Sequence, residues 1–437
     1  MTAQDSIRST PVTRMVSLAG TGAQVGLNYL KHYGRRALGN ATDTLDEENA
    51  GAIFKTFSEL KGGPLKLAQM LSIDQNLLPA AYARTFAQAQ HSAPPLSYPL
   101  VARTFRREFG RDPHELFDAF TREAVHGASI GQVHRARKGG RELAVKVQYP
   151  GVAESLQSDL RIVKPFALQI LGLRESDIAD YFREVESKLL EETDYVRERR
   201  NAEEISAACR HIPGVRFAAY LPELCTAKIL TMDWVDGETL DRFADGPAGQ
   251  DERDRVGQAL WDFYHHQVHE MRVFHADPHP GNFVIRDGEV WVLDFGCTKE
   301  IDAAFYERQF RFVDPGLLHD DAALMAALED MDVVLEGDSA ADRARVVASC
   351  RRWLGLLARP FHAGRFDFGD ESFLREIYEL GEESRKDNVL RTLRGRRGSP
   401  DTIYVNRAFF GLYSLLSRLR ARVNVRMPDF VAGRLAA

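Results

Sequence analysis

The sequence predicts an α+β protein with two lobes. Two short runs of β-branched, apolar and aromatic residues, 144–149 and 229–235, are typical of strands. Apolar residues recur at helical spacing before the first run, between the two runs and through most of residues 301–437. A small sheet followed by a mostly helical half predicts one lobe of each kind, with a ligand cleft between them.

Four predicted segments follow one another along the chain. Near the start of the chain, glycines interrupt the apolar pattern. A helical stretch follows, and after it come strands with helices inserted between them. The chain ends with a long helical stretch that contains one further strand. The segments are a flexible or amphipathic arm at 1–45, a helical extension at 46–110, a first lobe at 111–232 and a second lobe at 233–437. Gly139 and Gly140 predict a hairpin turn that joins strands at 130–136 and 144–149.

Composition and charge exclude several classes of protein. The 437 residues carry a net charge of −6, without the basic excess that indicates nucleic-acid binding. Four cysteines lie far apart with no C-x-x-C pair, which argues against a zinc ribbon or a disulfide scaffold and favours a reducing compartment. No stretch of about 20 residues is uniformly apolar, so we expect no membrane-spanning helix and a cytoplasmic protein.

Both ends of the chain are more basic than its middle. Over residues 1–40 five lysines and arginines oppose Asp5 alone, and from Arg407 onward six arginines oppose Asp429. Basic ends of this kind can contact anionic membrane lipids, which would make the protein peripherally membrane-associated. They can equally be solvated helix faces.

The strongest chemical signal lies in residues 274–296. Asp277 and Asn282 are five residues apart, His275 precedes Asp277 by two, and Asp294 begins an Asp-Phe-Gly triplet. This order resembles the catalytic loop and metal-binding triplet of protein kinases. We therefore predict that ATP binds with Mg²⁺ or Mn²⁺, which Asn282 and Asp294 hold. Asp277 is the predicted catalytic base, or else it positions water or the metal.

The predicted phosphate ligand lies on the strand at 144–149. Lys146 ends an Ala-Val-Lys sequence that resembles the kinase strand whose lysine contacts the α- and β-phosphates. Glu198, on a predicted helix over residues 181–204, is the predicted partner of Lys146, and Glu192 on the same helix competes for a lysine. Surface acids on a solvated helix face are the alternative interpretation.

The nucleotide loop departs from the kinase pattern. Residues 125–133 replace the usual glycine-rich loop, and their side chains keep backbone N–H groups away from a phosphate. The nucleotide should therefore be held differently than in an ordinary kinase. The predicted nucleotide contacts are Ala128, Ser129, Gly131, Val133, Met232 and Trp234.

Two further departures concern the acceptor. Ala276 stands where the kinase loop has the arginine that binds a phosphorylated activation loop. No Ala-Pro-Glu sequence follows Gly296, and a helical pattern resumes within roughly ten residues. The platform for a peptide substrate is therefore missing or remodelled, which leaves a small lipid-like acceptor or water.

These motifs together resemble the UbiB family of atypical kinase-like proteins, also called AarF or ADCK. The family's K-x-G-Q motif stands here as Lys66-Leu-Ala68-Gln69, with alanine in place of glycine. Its E-x-D motif stands as Glu192-Thr-Asp194. The resemblance implies a helical extension folded over the cleft, with Lys66 in contact with Glu192 and with Lys66, Gln69, Glu192 and Asp194 forming a regulatory cleft.

The resemblance also implies an activity. Members bind ATP with a divalent metal, show ATPase-like activity, and in many cases support coenzyme Q biosynthesis at a membrane. The family's alanine-rich nucleotide loop carries His126 and Gly127 here. A glycine should loosen this loop, so we hypothesise that nucleotide preference differs in this chain, which ADP and ATP affinities of Gly127→Ala would test.

Two functions remain open at the level of sequence. The first is an atypical kinase or ATPase that hydrolyses ATP or transfers phosphate to a small or lipid-linked acceptor in ubiquinone or related isoprenoid-lipid metabolism. The second is a pseudokinase that binds nucleotide as a switch and serves as a scaffold or lipid chaperone for quinone-biosynthesis proteins. The retained metal ligands favour catalysis. The pattern predicts no nucleic-acid partner and does not indicate an oligomeric state.

Overall fold

The computed structural model describes residues 45–60, 85, 96–128, 130–171, 175–387 and 397–425. These residues form two compact units that both take several stretches of the chain. The first unit contains the described residues up to Glu175, with Phe182–Arg200 and Ala218–Trp234. The second contains Ser176–Tyr181, Asn201–Phe217 and the described residues from Val235 onward. The predicted arm lies outside the described residues, and the four segment boundaries stay a prediction.

An antiparallel five-stranded sheet forms the centre of the first unit. Its path runs β1-β3-β4-β6, and β2 pairs with β3. The strands are β1 (Ala119–Phe120), β2 (His126–Gly127), β3 (Gly131–Lys138), β4 (Arg141–Gln148) and β6 (Ile229–Asp233). Gly139 and Gly140 adopt positive φ angles of 56° and 79°, which confirms the predicted hairpin turn between β3 and β4. Lys146 lies opposite Val133 on one side and Leu230 on the other.

Some helices precede this sheet in the chain, and others lie between β4 and β6. They are α1 (Leu45–Leu60), α2 (Tyr98–Phe109), α3 (Pro113–Leu116), α4 (Val152–Leu171), α5 (Glu175–Glu192) and α6 (Tyr195–Cys209). Phe105 of α2 is fully buried and packs with Phe117, Val145 and Val147 in one core cluster of the sheet. Tyr195 of α6 packs with Tyr149 and Leu230 in a second cluster. Together, these two clusters bury most of β4.

The predicted single helix over residues 181–204 is wrong, because the chain breaks it at Thr193 and Asp194. The Asp194 carboxylate accepts hydrogen bonds from the backbone N–H groups of Val196 and Arg197, at 3.0 and 3.4 Å, as a helix N-cap does. The N–H of Tyr195 donates to the carbonyl of Ala227 at 3.1 Å instead of continuing the earlier helix. Glu192 and Glu198 therefore belong to different helices.

The second unit contains three small sheets. The largest has the order β5-β10-β9-β7, with a parallel pair β5–β10, and β8 pairs with β11 and β12 with β13. The strands are β5 (Val215–Phe217), β7 (Glu238–Thr239), β8 (Val273–His275), β9 (Phe283–Arg286), β10 (Glu289–Val292), β11 (Thr298–Glu300), β12 (Arg365–Asp367) and β13 (Arg422–Asn424). The predicted strand at 291–294 corresponds to β10, which begins two residues earlier.

Helices make up most of the second unit, as the sequence predicts. They are α7 (Leu240–Asp245), α8 (Gln250–His266), α9 (Ala303–Phe310), α10 (Pro315–His319), α11 (Asp321–Asp330), α12 (Ala340–Leu357), α13 (Arg359–His362), α14 (Glu371–Asp387) and α15 (Pro400–Leu419). Gly257 of α8 allows a close approach, since a Cβ there would lie 2.3 Å from that of Ala421. No helix among the described residues is long and apolar enough to cross a membrane.

Candidate functional site

The buried side chains of Lys146 and Glu198 form an ion pair in the first unit. The Lys146 Nζ donates to both carboxylate oxygens of Glu198, at 2.9 and 3.0 Å, and the two side chains are 9 and 2 % exposed. The same ammonium lies 5.0 Å from the ring centroid of Tyr195. A charged lysine persists at such a buried position only with partners of this kind. The structure therefore confirms the predicted pairing of Lys146 with Glu198, and Glu192 is also buried.

A backbone hydrogen bond joins Ala128 and Gly131, the described residues on either side of the predicted nucleotide contact at position 129. The N–H of Ala128 donates to the carbonyl of Gly131 at 2.8 Å. A Cβ on Gly131 would lie 2.6 Å from the Val147 carbonyl oxygen and 2.7 Å from the Tyr195 hydroxyl, so glycine is required there. Val133 lies opposite Lys146 in the sheet register. Of the predicted nucleotide contacts in this loop, Ser129 lies outside the described residues.

The other two predicted nucleotide contacts lie at the end of β6. Met232 is 7 % exposed and pairs with Ala144 across the sheet. The Trp234 ring lies parallel to the ring of His126, at 6.0 Å between centroids, and the Arg135 guanidinium lies 4.9 Å from the Trp234 centroid. Trp234 thus contacts the nucleotide loop at His126, one of the residues that depart from the family pattern.

A buried network of hydrogen bonds holds the side chains of Gln132 and His134 in β3. The Gln132 side chain accepts a hydrogen bond from the Leu96 N–H at 2.7 Å and donates to the His134 Nε2 at 2.9 Å. The His134 Nδ1 then donates to the Thr121 carbonyl at 2.8 Å, and its ring stacks on Phe120. Burial lowers the pKa of His134 to about 4, so this imidazole is neutral at neutral pH.

This histidine predicts a pH dependence of stability. Its pKa is lower in the folded chain than in the unfolded chain, so the unfolded chain binds the proton first as the pH falls. We expect the free energy of unfolding to fall by about 3 kcal/mol between pH 7 and pH 4 through His134. Urea unfolding of the His134→Gln variant should show a shallower pH slope, and the exposed His114→Gln should keep the wild-type slope. Equal slopes in all three proteins would contradict the assignment.

The second unit brings Asp277, Asn282 and Asp294 together through backbone contacts. The Asn282 Nδ2 donates to the Asp277 carbonyl at 2.9 Å, which leaves its Oδ1 as the atom that can bind a cation. The Leu293 N–H donates to the Asn282 carbonyl at 3.0 Å, and the Asp294 Oδ1 accepts from the Gly296 N–H at 2.9 Å. An amide oxygen and a carboxylate suit Mg²⁺ or Mn²⁺, so these residues fit the predicted metal.

His275 anchors the start of this loop through hydrogen bonds to side chains of the preceding helical segment. Its backbone N–H donates to the Gln267 side chain at 3.0 Å, and its Nδ1 lies 3.0 Å from the Tyr264 hydroxyl. The residue is fully buried, and this burial lowers the pKa of the imidazole, although the nearby Asp277 and Asp294 act in the opposite direction. These contacts give His275 a structural place in the loop.

Arg407 is a partner of Asp277 that the sequence did not indicate. Arg407 of α15 donates to the Asp277 Oδ1 at 2.7 Å, and the two side chains are 9 and 15 % exposed. One turn later, a Cβ on Gly411 would lie 2.0 Å from the Cγ of Pro278, so α15 packs directly on the loop that carries Asp277. An arginine and a glycine four residues apart on one helix face were the only local signal.

Three of the basic C-terminal residues have acidic partners, and their predicted membrane role stays a prediction. Arg407 is paired with Asp277, Arg418 with Asp245 at 2.6 Å, and Arg422 with Asp367 at 3.1 Å. The arginines are therefore partly neutralised by acids of the same unit. Arg426 and Arg434 lie outside the described residues.

The remaining predicted site residues fall into two groups. Lys66 and Gln69 lie outside the described residues, so their contact with Glu192 stays a prediction. Asp194 caps α6, and its regulatory role likewise stays a prediction. Among the described residues, Asp112, His114 and Glu115 also bring three possible metal-binding atoms together, but Asp112 and Glu115 there form the capping box of the short α3.

Comparison with known proteins agrees with this geometry. The sequence profile of the ABC1 atypical kinase-like domain matches residues 88–328. The mitochondrial atypical kinase COQ8B of Rattus norvegicus is 28 % identical over 429 residues, which cover 95 % of this chain and 79 % of that protein. The chloroplastic protein Activity of BC1 complex kinase 8 of Arabidopsis thaliana is 32 % identical over 255 residues, which are 55 % of this chain and 33 % of that protein.

A solved structure shows the same fold. The Rv3197 protein of Mycobacterium tuberculosis, solved in complex with erythromycin, matches 90 % of this chain and 96 % of its own, with 24 % identity and a TM-score of 0.59. The predicted α+β, kinase-like fold and the predicted UbiB resemblance are both confirmed. Because the family profile covers more than half of the 437 residues, this chain belongs to the ABC1 family of atypical kinase-like proteins.

Proposed function

We propose that this chain is an atypical kinase that binds ATP with a divalent cation and hydrolyses it or transfers its γ-phosphoryl group to a small acceptor. The observation that carries the proposal is the buried ion pair between Lys146 and Glu198, with both Nζ–O distances at or below 3.0 Å. Burying two charges costs desolvation energy that their attraction repays only in part, so a contribution to stability does not by itself explain why the pair is there. A lysine oriented for phosphate explains it.

Asn282 and Asp294 are the proposed cation ligands. The cation would neutralise the negative charge of the phosphates when it is bound. The chain itself orients both side chains. The Asn282 Nδ2 donates to the backbone carbonyl of Asp277, a bond in which the Asn282 Oδ1 takes no part. The Asp294 carboxylate is held by a hydrogen bond from the Gly296 N–H. Both side chains are therefore oriented before the cation arrives, which lowers the cost of binding it.

Asp277 is the proposed acceptor-orienting group. Its Oδ1 already accepts a hydrogen bond from the Arg407 guanidinium, which holds the carboxylate in place. We therefore expect Asp277 to position the attacking hydroxyl or water by accepting its hydrogen bond, with the proton leaving late in the transfer. Protein phosphorylation in trans is not part of this proposal, since no Ala-Pro-Glu sequence follows Gly296.

The physiological context is proposed from the relatives. The chain resembles UbiB proteins and is similar to a mitochondrial COQ8B kinase over most of its length. We propose that it supports ubiquinone or related isoprenoid-lipid metabolism, with a lipid-linked acceptor or a client among quinone-biosynthesis proteins. Peripheral contact of the basic chain ends with anionic lipids would place it near such molecules.

A pseudokinase that uses nucleotide as a switch is the second candidate. The Arg407–Asp277 pair favours it, because the guanidinium already donates a hydrogen bond to the carboxylate that would otherwise orient an acceptor. Such a protein would bind nucleotide through Lys146 and the metal ligands and act as a scaffold. It would not turn ATP over at a rate that depends on Asp294.

Turnover by an Asp294→Asn variant separates the two candidates. We expect ATP hydrolysis with Mg²⁺ or Mn²⁺, measured with and without anionic liposomes, to fall by at least about 100-fold in the variant. The control is Asp287→Asn, an exposed turn residue of the second unit whose positive φ of 54° suits asparagine equally well. Equal turnover by the wild type and Asp294→Asn would exclude the enzymatic proposal.

A further inference from the structure

Two histidines that have no part in the proposed nucleotide site lie side by side in the second unit. His211 belongs to the connection between α6 and β5, and His266 is the last residue of α8. Their ring centroids are 4.7 Å apart, with the ring planes at 75° to each other. The His211 side chain is exposed and that of His266 is 14 % exposed, so solutes can reach the pair.

This spacing fits two imidazoles that share one cation. Zn–N distances of about 2.0 to 2.1 Å place the ring centroids of two histidines on one zinc ion roughly 5 Å apart. Within the part of the chain that the structure describes, no other residue hydrogen-bonds the His211 ring, so a nitrogen lone pair of the neutral ring is available to a ligand. Edge-to-face packing without a metal is the alternative explanation of the contact.

Glu270 supplies negative charge beside this pair. Its Oε2 lies 3.1 Å from the His266 Nδ1, and its side chain is 72 % exposed. A carboxylate beside this nitrogen favours the proton on Nδ1, which leaves the Nε2 lone pair for a metal.

The Glu270 carboxylate belongs to the outer shell of such a site. Among the described residues, Asp112, His114 and Glu115 are the one set of three whose possible ligand atoms all lie within 4.8 Å of one another. Glu270 therefore does not reach a cation that both histidines hold in this conformation. Its contact with His266 instead resembles the carboxylate–histidine pairs that orient a metal-binding imidazole.

We propose that His211 and His266 bind a transition-metal dication such as Zn²⁺, with water in the remaining positions and Glu270 as the outer partner of His266. Imidazole nitrogens suit Zn²⁺, Cu²⁺ and Ni²⁺, whereas Mg²⁺ prefers oxygen ligands. The site therefore differs in chemistry from the proposed cation ligands Asn282 and Asp294, and it does not rest on the proposed function.

A bound cation would cross-link two segments of the second unit, the α6–β5 connection and the end of α8. The residue after His266 is Gln267, whose side chain accepts a hydrogen bond from the His275 N–H at 3.0 Å, at the start of the loop that carries Asp277. We expect Zn²⁺ to slow hydrogen exchange of the amides in the α6–β5 connection, and to leave the amides of α14 in the same unit unchanged.

Zinc titration of the nucleotide-free full chain is the direct test. Excess Mg²⁺ in the buffer occupies oxygen-ligand sites, and calorimetry then reports the tightest zinc site. We expect His211→Gln and His266→Gln each to weaken that site at least about 100-fold, because a lost ligand costs at least as much as a lost outer partner. Glu270→Gln should weaken it about 10-fold.

His114→Gln is the matched control, because His114 belongs to the other group of possible ligands among the described residues. This variant should bind Zn²⁺ as the wild type does. His211 is exposed, so His211→Gln decides the test if His266→Gln does not fold. Wild-type zinc affinity in His211→Gln, loss of the site in His114→Gln alone, or no saturable zinc binding by the wild type would each overturn the proposal. Because no nucleotide is present, none of these results bears on ATP turnover.

Discussion

A Lys146→Met variant should lose at least about 100-fold in ATP turnover, because it removes the ammonium that we propose binds the phosphates. The variant should also lose about 3 to 5 kcal/mol of stability, since Glu198 is 2 % exposed and would be left as an unpaired buried carboxylate. Steady-state hydrolysis and urea unfolding measure the two effects separately.

A double variant distinguishes catalysis from folding. Lys146→Met with Glu198→Gln removes both charges at similar volume, so we expect most of the stability to return and turnover to stay low. Lys228→Met is the control, because Lys228 of the same unit pairs with the exposed Glu154 at 3.2 Å and should tolerate the change. Recovery of turnover in the double variant would mean that Lys146 acts only through stability.

Gly411→Ala should destabilise the protein, although alanine normally stabilises a helix. A Cβ at this position would lie 2.0 Å from the Pro278 Cγ and 3.2 Å from its carbonyl oxygen, so helix or loop must shift. We expect a loss of about 2 kcal/mol in the free energy of unfolding. Gly355→Ala on α12 is the matched control, since its Cβ would meet no atom within 4 Å and should stabilise by about 0.5 to 1 kcal/mol.

The same variant should affect catalysis. Pro278 follows Asp277 directly, so a displaced loop moves the carboxylate that Arg407 holds. A misplacement of about 1 Å at a reacting group can cost about 100-fold, and we expect kcat to fall more than KM rises. Turnover equal to that of Gly355→Ala would show that the packing of α15 on the loop has no part in the reaction.

Much of the first unit could be predicted from local sequence. The β3–β4 hairpin follows from alternation and from two glycines whose positive φ angles no other residue adopts as readily. The link between Lys146 and Glu198 spans 52 residues, yet it was predictable because the kinase motif fixes which strand and helix meet. Here a motif supplied the long-range information that periodicity lacks.

Two features could not be predicted, for different physical reasons. The break between α5 and α6 depends on one capping carboxylate, Asp194, within a run of good helix formers whose periodicity favours a continuous helix. The Arg407–Asp277 pair joins residues 130 positions apart with no motif at the Arg407 end, so composition alone placed Arg407 in a basic tail. Local helix and strand propensities carry no information about contacts between residues so far apart in the sequence.

The position of α15 has a practical consequence for recombinant work. The recognised domain match ends at residue 328, but the helix that anchors Asp277 begins only at Pro400. A shortened protein designed on the domain match would keep Lys146, Glu198, Asp277, Asn282 and Asp294 but lose Arg407 and Gly411, which contact Asp277 and Pro278. If such a fragment were inactive, the loss of these contacts to the loop would be a sufficient explanation. The result would not show whether the intact chain is an enzyme.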